Sequence, residues 1–154
     1  MNAPVVFDRR RLLAGGGALI VSFSLADAFA QDQPAPAAAP PNPPGSLKTS
    51  PLLDSWIRID ADGSTTVFTG KAELGQGFKT AFQQIAAEEL DVPYGSLKVV
   101  TADTRLTANE GYTSGSNSMK ESGTAIQNAS AQARALLLAE AARRLDLPAV
   151  TLRT

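Results

Sequence analysis

Apolar and polar residues alternate along Trp56-Ile57-Arg58-Ile59-Asp60, the period of two that marks a half-buried strand. Asp62-Gly63 supplies a turn, and Thr65-Thr66-Val67-Phe68-Thr69 is β-branched or aromatic at every position, so the two segments read as a hairpin. The period then lengthens. Phe78, Phe82, Ile85, Ala86 and Leu90 recur at helical spacing and predict a helix over about residues 78–90. Pro93-Tyr94-Gly95 closes it, and Leu97-Lys98-Val99-Val100 predicts a third strand that returns to the hairpin's sheet. Ser118-Met119-Lys120-Glu121 matches a capping box. It predicts a second helix from near Ser118 through an alanine-rich stretch to about Leu145, ahead of Pro148. The face carrying Ser122, Gly123, Ala125, Ala129 and Ala133 has little side-chain bulk and is expected to pack tightly on the sheet. The fold class that follows is α+β: a β-β-α-β-α unit, with two helices packed on a small mixed sheet.

Ahead of this unit the pattern is of another kind. Asp8-Arg9-Arg10-Arg11 stands directly before an apolar run from Leu12 to Leu25, and Ala28-Phe29-Ala30 has the small-x-small form of a cleavage site. Residues 1–30 therefore read as a signal peptide of the twin-arginine type, cleaved after Ala30, which implies export to the periplasm. A membrane anchor is the alternative, but Gly15-Gly16-Gly17 interrupts the run, which falls short of the roughly 20 residues a bilayer core requires. Asp8 stands where the twin-arginine signal usually has Ser or Thr, and Leu12 where it often has Phe, so the ordinary secretory route stays open. Seven of the ten prolines then lie between Pro34 and Pro51. Residues 31–51 are expected to be an extended tether, because so little apolar surface cannot offset the entropy of ordering them. The folded domain is expected over 52–154.

Composition changes the picture chiefly by exclusion. The chain of 154 residues has neither cysteine nor histidine, which removes disulfides, thiolate nucleophiles, iron–sulfur ligation and the usual zinc sites. Any metal must arrive inside a cofactor or on oxygen ligands. Beyond residue 30 there remain 11 basic and 13 acidic side chains with no dense block of either sign, so nothing calls for nucleic acid.

Two loops that run into helix starts are the candidate sites. At Gly75-Gln76-Gly77, glycines flank an amide just where free N–H groups and the positive end of a helix dipole suit an anion. Thr113-Ser114-Gly115-Ser116-Asn117-Ser118 offers the same service at the second helix and ends a long polar loop from Thr104 to Asn117. Ordinary turns and caps account for the same residue types. Gln76, bracketed by glycines, shows no packing purpose of its own. A P-loop is excluded, since Gln76-Gly77 follows where Lys and Ser or Thr are required, and Thr80 stands at the third glycine of a dinucleotide fingerprint.

Four segments in order, Thr69-Gly70-Lys71-Ala72-Glu73-Leu74-Gly75-Gln76-Gly77, Ala86-Ala87-Glu88-Glu89-Leu90, Ala102-Asp103-Thr104 and Asn109-Glu110-Gly111-Tyr112-Thr113-Ser114-Gly115-Ser116, resemble the molybdopterin-binding large subunit of the xanthine dehydrogenase family. The similarity is greatest to the branch of isoquinoline 1-oxidoreductase β subunits and exported aldehyde dehydrogenases, and it spans Ser55 to Thr154. The resemblance implies a molybdenum-dependent oxidoreductase that hydroxylates aldehydes or N-heterocycles, a molybdopterin cofactor in its cytosine dinucleotide form, an iron–sulfur small subunit and a cytochrome c electron acceptor. It also implies that Gly75, Gln76 and Gly77 hold pterin and phosphate, and that Gly115, Ser116 and Ser118 belong to a loop approaching the metal. Family enzymes are several times longer, and their general base, a glutamate near the carboxyl end, has no counterpart here: Glu73, Glu88, Glu89 and Glu110 lie outside its motif. The expectation is an amino-terminal fragment holding part of the cofactor cradle. A stand-alone exported module for an anionic small molecule, and a purely structural secreted domain, are the alternatives.

Overall fold

The computed structural model describes residues 42–154; the expected signal peptide and most of the expected tether lie outside the described residues. Three strands form one sheet in the order β1 (Ile57–Ile59), β2 (Thr65–Thr69), β3 (Leu97–Thr101). β1 and β2 are the expected hairpin, antiparallel with Ile57 opposite Val67 and Ile59 opposite Thr65. Gly63, at φ +85°, makes the turn, and its amide donates to Asp60 O at 2.9 Å. β3 runs parallel to β2, Thr65 opposite Leu97 and Thr69 opposite Thr101. Parallel neighbours require a crossover, and helix α1 (Phe78–Leu90) provides it. β2 is therefore the central strand, and all five of its residues are buried. Its run of threonine, valine and phenylalanine lacks alternation because neither face meets water.

α1 lays Phe78, Phe82, Ala86 and Leu90 into the core with Trp56, Val67, Leu97 and Val99. It ends in a Schellman turn: Asp91 is left-handed at φ +55°, and the Val92 amide reaches back to Ala87 O at 3.0 Å. Helix α2 (Thr124–Leu145) stops in the same way, with Asp146 at φ +52° and Leu147 N bonded to Ala142 O. Proline follows each turn, as Pro93 and Pro148, and a single 3-10 turn follows each proline. The fold class, β-β-α-β-α with two helices and a small mixed sheet, is as the sequence implies.

Two local expectations are corrected and one is extended. The tether does not extend to residue 51, because Gly45–Lys48 forms a 3-10 turn that places Leu47 in the core at 1% exposure. Gly45 sits at φ +60°, and a Cβ there would lie 2.2 Å from Glu121 O, so only glycine lets this turn close on α2's entrance. The capping box does not form. Ser116 is left-handed at φ +63°, and Asn117 after it is already helical, so the chain enters a π-helical turn over Ser118–Gly123 without a side-chain cap. Glu121 faces Lys48 at 3.9 Å instead of reaching back. Lastly, the small-residue face meets α1 as well as the sheet: a Cβ on Gly123, just ahead of α2, would stand 3.5 Å from Phe82 Cε1 and 3.8 Å from Ile85 Cδ1, and α2 also contacts β1.

Candidate cofactor-binding loops

The parallel pairing of β2 and β3 decides where the candidate loops lie. The residues after Thr69 and those after Thr101 leave neighbouring strands at the same end of the sheet, the carboxyl end at which open parallel sheets place their ligands. Ala102, left-handed at φ +52°, donates its amide to Thr69 O at 2.9 Å where the second loop begins.

The first loop, residues 70–77, rests on a carboxylate. Glu73 Oε1 accepts from the amides of Gly75 at 2.9 Å and Gly77 at 3.0 Å, while Oε2 accepts from Lys79 N at 3.0 Å. The Lys79 amide first, then that of Gly77, holds the Glu73 carboxyl below its usual range. The electrostatic preference for an anion at this helix start is real, and an internal anion meets it. Gln76 has a local purpose that sequence reasoning missed: Oε1 accepts from Leu74 N at 2.6 Å, and Nε2 donates to Ala72 O at 3.1 Å. An amide has two donors and two acceptor positions, so half of Gln76's capacity is left on an exposed loop. Gly75 (φ +94°) and Gly77 (φ +80°) are both left-handed, and no atom lies within 4 Å of where either Cβ would be. The backbone here is open to close approach.

In the second loop Gly115 (φ +59°) and Ser116 (φ +63°) are exposed, while Ser118 is buried at the start of the π turn. The two loops are tied together at their stems. Lys71, 3% exposed, donates from Nζ to Glu110 O at 2.5 Å and Tyr112 O at 2.9 Å, and Ala72 N donates to Thr113 Oγ1 at 2.7 Å. Glu110 Oε2 accepts from Thr69 Oγ1 at 2.6 Å and Gly70 N at 2.7 Å, and its Oε1 accepts from Ser122 Oγ at 2.5 Å. Gly70 allows the contact, since a Cβ there would lie 2.0 Å from Ala108 O. Among the described residues no group of three or more acidic side chains converges to hold a metal ion. What the loops offer is approachable glycine backbone, hydroxyls and one half-committed side-chain amide, a set suited to a polar organic group.

The family model for the molybdopterin cofactor-binding domain matches residues 21–154. The chain belongs to that family. This molybdopterin cofactor-binding domain is 34% identical over 119 residues to a nicotinate dehydrogenase subunit of Pseudomonas putida, a match covering 74% of this chain and 10% of that protein. It is 34% identical over 106 residues to the β subunit of isoquinoline 1-oxidoreductase from Brevundimonas diminuta, covering 64% of this chain and 14% of that one. Among solved structures it is similar to the Cu,Mo-CO dehydrogenase in its carbon monoxide reduced state, with a TM-score of 0.57 and 30% identity over 60% of this chain and 12% of that chain. The domain thus spans about a tenth of the length of the relatives it matches.

Glu110, Lys71, Thr69 and Ser122 carry the joint between the loops, and sequence reasoning singles out none of them for it. The partners of Lys71, and those of Glu110 at the end of β2 and just beyond it, stand 39 to 41 residues away, beyond the reach of any local periodicity. A lysine directly after the glycine of a buried strand end is the available signal.

Proposed function

We propose that this chain is the amino-terminal part of the large subunit of a molybdenum hydroxylase, which binds molybdopterin in its cytosine dinucleotide form and oxidises aldehydes or N-heterocycles with water as the oxygen source. One observation carries the reading: two loops with open, left-handed glycines leave adjacent parallel strands at one end of the sheet and are cross-tied at their stems. The residues fit such a cofactor. Gly75 and Gly77 would let a flat ring system approach the backbone, Gln76 keeps a donor and an acceptor for a pterin edge, and exposed Gly115 and Ser116, with buried Ser118 after them, would contribute from the second loop. When bound, the molybdenum centre supplies the two-electron redox change and the oxygen transfer. The chain's own residues would help to position it.

Relatives named for nicotinate and isoquinoline favour an N-heterocyclic substrate, and relatives named as subunits favour an assembly with further subunits; that these are an iron–sulfur small subunit and a cytochrome c acceptor is part of the proposal and rests on the family resemblance alone. Export to the periplasm through the twin-arginine signal suits a protein whose cofactor is inserted before it crosses the membrane folded. The test is to purify the full-length subunit from a host that makes the cytosine dinucleotide cofactor, then measure molybdenum and the nucleotide freed by acid hydrolysis. The expected result is stoichiometric molybdenum with CMP. Folded protein carrying neither would overturn the reading.

A further inference from the structure

The stem contacts join three separate elements through one side chain. Glu110 accepts at Oε2 from Thr69 and Gly70, which begin the first loop, and at Oε1 from Ser122, in the π turn that ends the second. Each of these partners of the half-buried carboxylate is a donor, so both oxygens are committed and the side chain spans from β2 to the entrance of α2. Lys71 locks the same joint from the first loop, its buried ammonium held by the carbonyls of Glu110 and Tyr112. The tips beyond the joint are held differently. Residues 72–77 bond among themselves and to Lys79, Gly75 and Gly77 stand in open space, and a Cβ at Gly115 would meet only Asn117 Nδ2, at 4.0 Å. The separation of the tips is therefore governed at the stems.

We propose that Glu110 is a positioning residue for the cofactor: its carboxylate fixes the distance between the Gly75–Gly77 loop and the Gly115–Ser116 loop, and so the fit of the cradle. The proposal rests on the cofactor reading above. It makes the length of the Glu110 side chain the decisive property. Glutamine keeps that length: its amide oxygen accepts from Thr69 and Gly70, and its NH₂ donates to Ser122 Oγ, a hydroxyl able to act as acceptor. Aspartate keeps the charge but is one methylene short and cannot reach both sides. Ser122→Ala cuts the arm to α2 alone and leaves the ties to β2.

The variants Glu110→Gln, Glu110→Asp and Ser122→Ala are made in the full-length subunit loaded in vivo, and three quantities are read: molybdenum and pterin per folded protein, the rate of pterin loss on dilution, and the thermal midpoint of the cofactor-free form. Expected are near wild-type retention for Glu110→Gln, and pterin loss faster by about tenfold for Glu110→Asp, the factor that corresponds to about 1.4 kcal/mol. Ser122→Ala should fall between them; the Asp variant, having lost one arm of the joint, should show a lower cofactor-free midpoint than the Gln variant, so pterin loss is compared per folded protein at a temperature well below both midpoints. Retention of pterin by all three variants at the wild-type rate overturns the proposal. So does equal loss in the Gln and Asp variants, which would show that span is not decisive. If the wild-type subunit itself carries no pterin, the cofactor reading fails, and this proposal fails with it by a result that is distinguishable from the others.

Discussion

Ser130 is fully buried in the half of α2 that meets the core, and among the described residues its Oγ is the buried side-chain atom without a hydrogen-bond partner. A hydroxyl moved out of water without compensation is a net cost to folding. Ser130→Ala removes that cost and leaves the neighbouring Ala129 packing unchanged, so it should stabilise the domain by about 1 kcal/mol. Thermal unfolding of the full-length subunit and its variant would show this as a raised midpoint; a lowered one would mean that the hydroxyl has a partner and the prediction is wrong. Lys71 is the opposite case. It is as buried as the core residues, yet its Nζ is satisfied by two loop carbonyls, where it stiffens a joint.

At the scale of elements, what was legible in the sequence was whatever repeats locally. The hairpin, the helix over 78–90 and the third strand follow from alternation and helical spacing, and all three match the structure almost to the residue. The start of α2 did not, because a capping box requires an extended residue ahead of the helix and Ser116 has already turned the chain left-handed. The packing of Leu47 and the Glu110 joint were illegible for another reason: each depends on residues brought from far along the chain. The first loop shows both kinds of information. Its glycines were readable, whereas its occupant, Glu73, is a matter of geometry. Because the folded-state pKa of Glu73 is depressed by the amides of Lys79 and Gly77, its capping contribution is present above the ordinary glutamate range and is lost as pH falls through the lower, folded value. The amides of Gly75, Gly77 and Lys79 should then exchange hydrogen faster as pH drops below the usual carboxylate range, relative to amides in the centre of α1 and after correction for intrinsic rates. In Glu73→Gln that extra pH dependence should vanish. A pH profile shared by wild type and variant would show that another group caps the helix.

For the whole molecule, the two loops lie on a domain that forms a small part of much longer relatives, with Leu74 at 73% and Tyr112 at 91% exposure beside the joint. On the proposed cofactor reading, binding and folding make separate demands on these residues, and two substitutions in the full-length subunit separate them. Gln76→Ala deletes two hydrogen bonds within an exposed loop, which contribute little to folding because water replaces them. If the free half of that amide also serves the pterin, the variant loses a buried partner when the cofactor is bound, at a cost of roughly 1–3 kcal/mol, and molybdenum content should fall while the thermal midpoint of the cofactor-free form barely moves. Gly115→Val places a branched side chain at φ +59°, where only glycine is unstrained. Its Cβ would meet nothing nearer than Asn117 Nδ2 at 4.0 Å, so packing suffers little and the damage comes from backbone strain and from filling the space the cofactor would approach. It should lower molybdenum content more than Gln76→Ala does. Measuring metal per folded protein beside the melting temperature decides the matter: full metal in both variants would make these loops ordinary turns, whereas loss of metal at unchanged stability is the signature of a cradle.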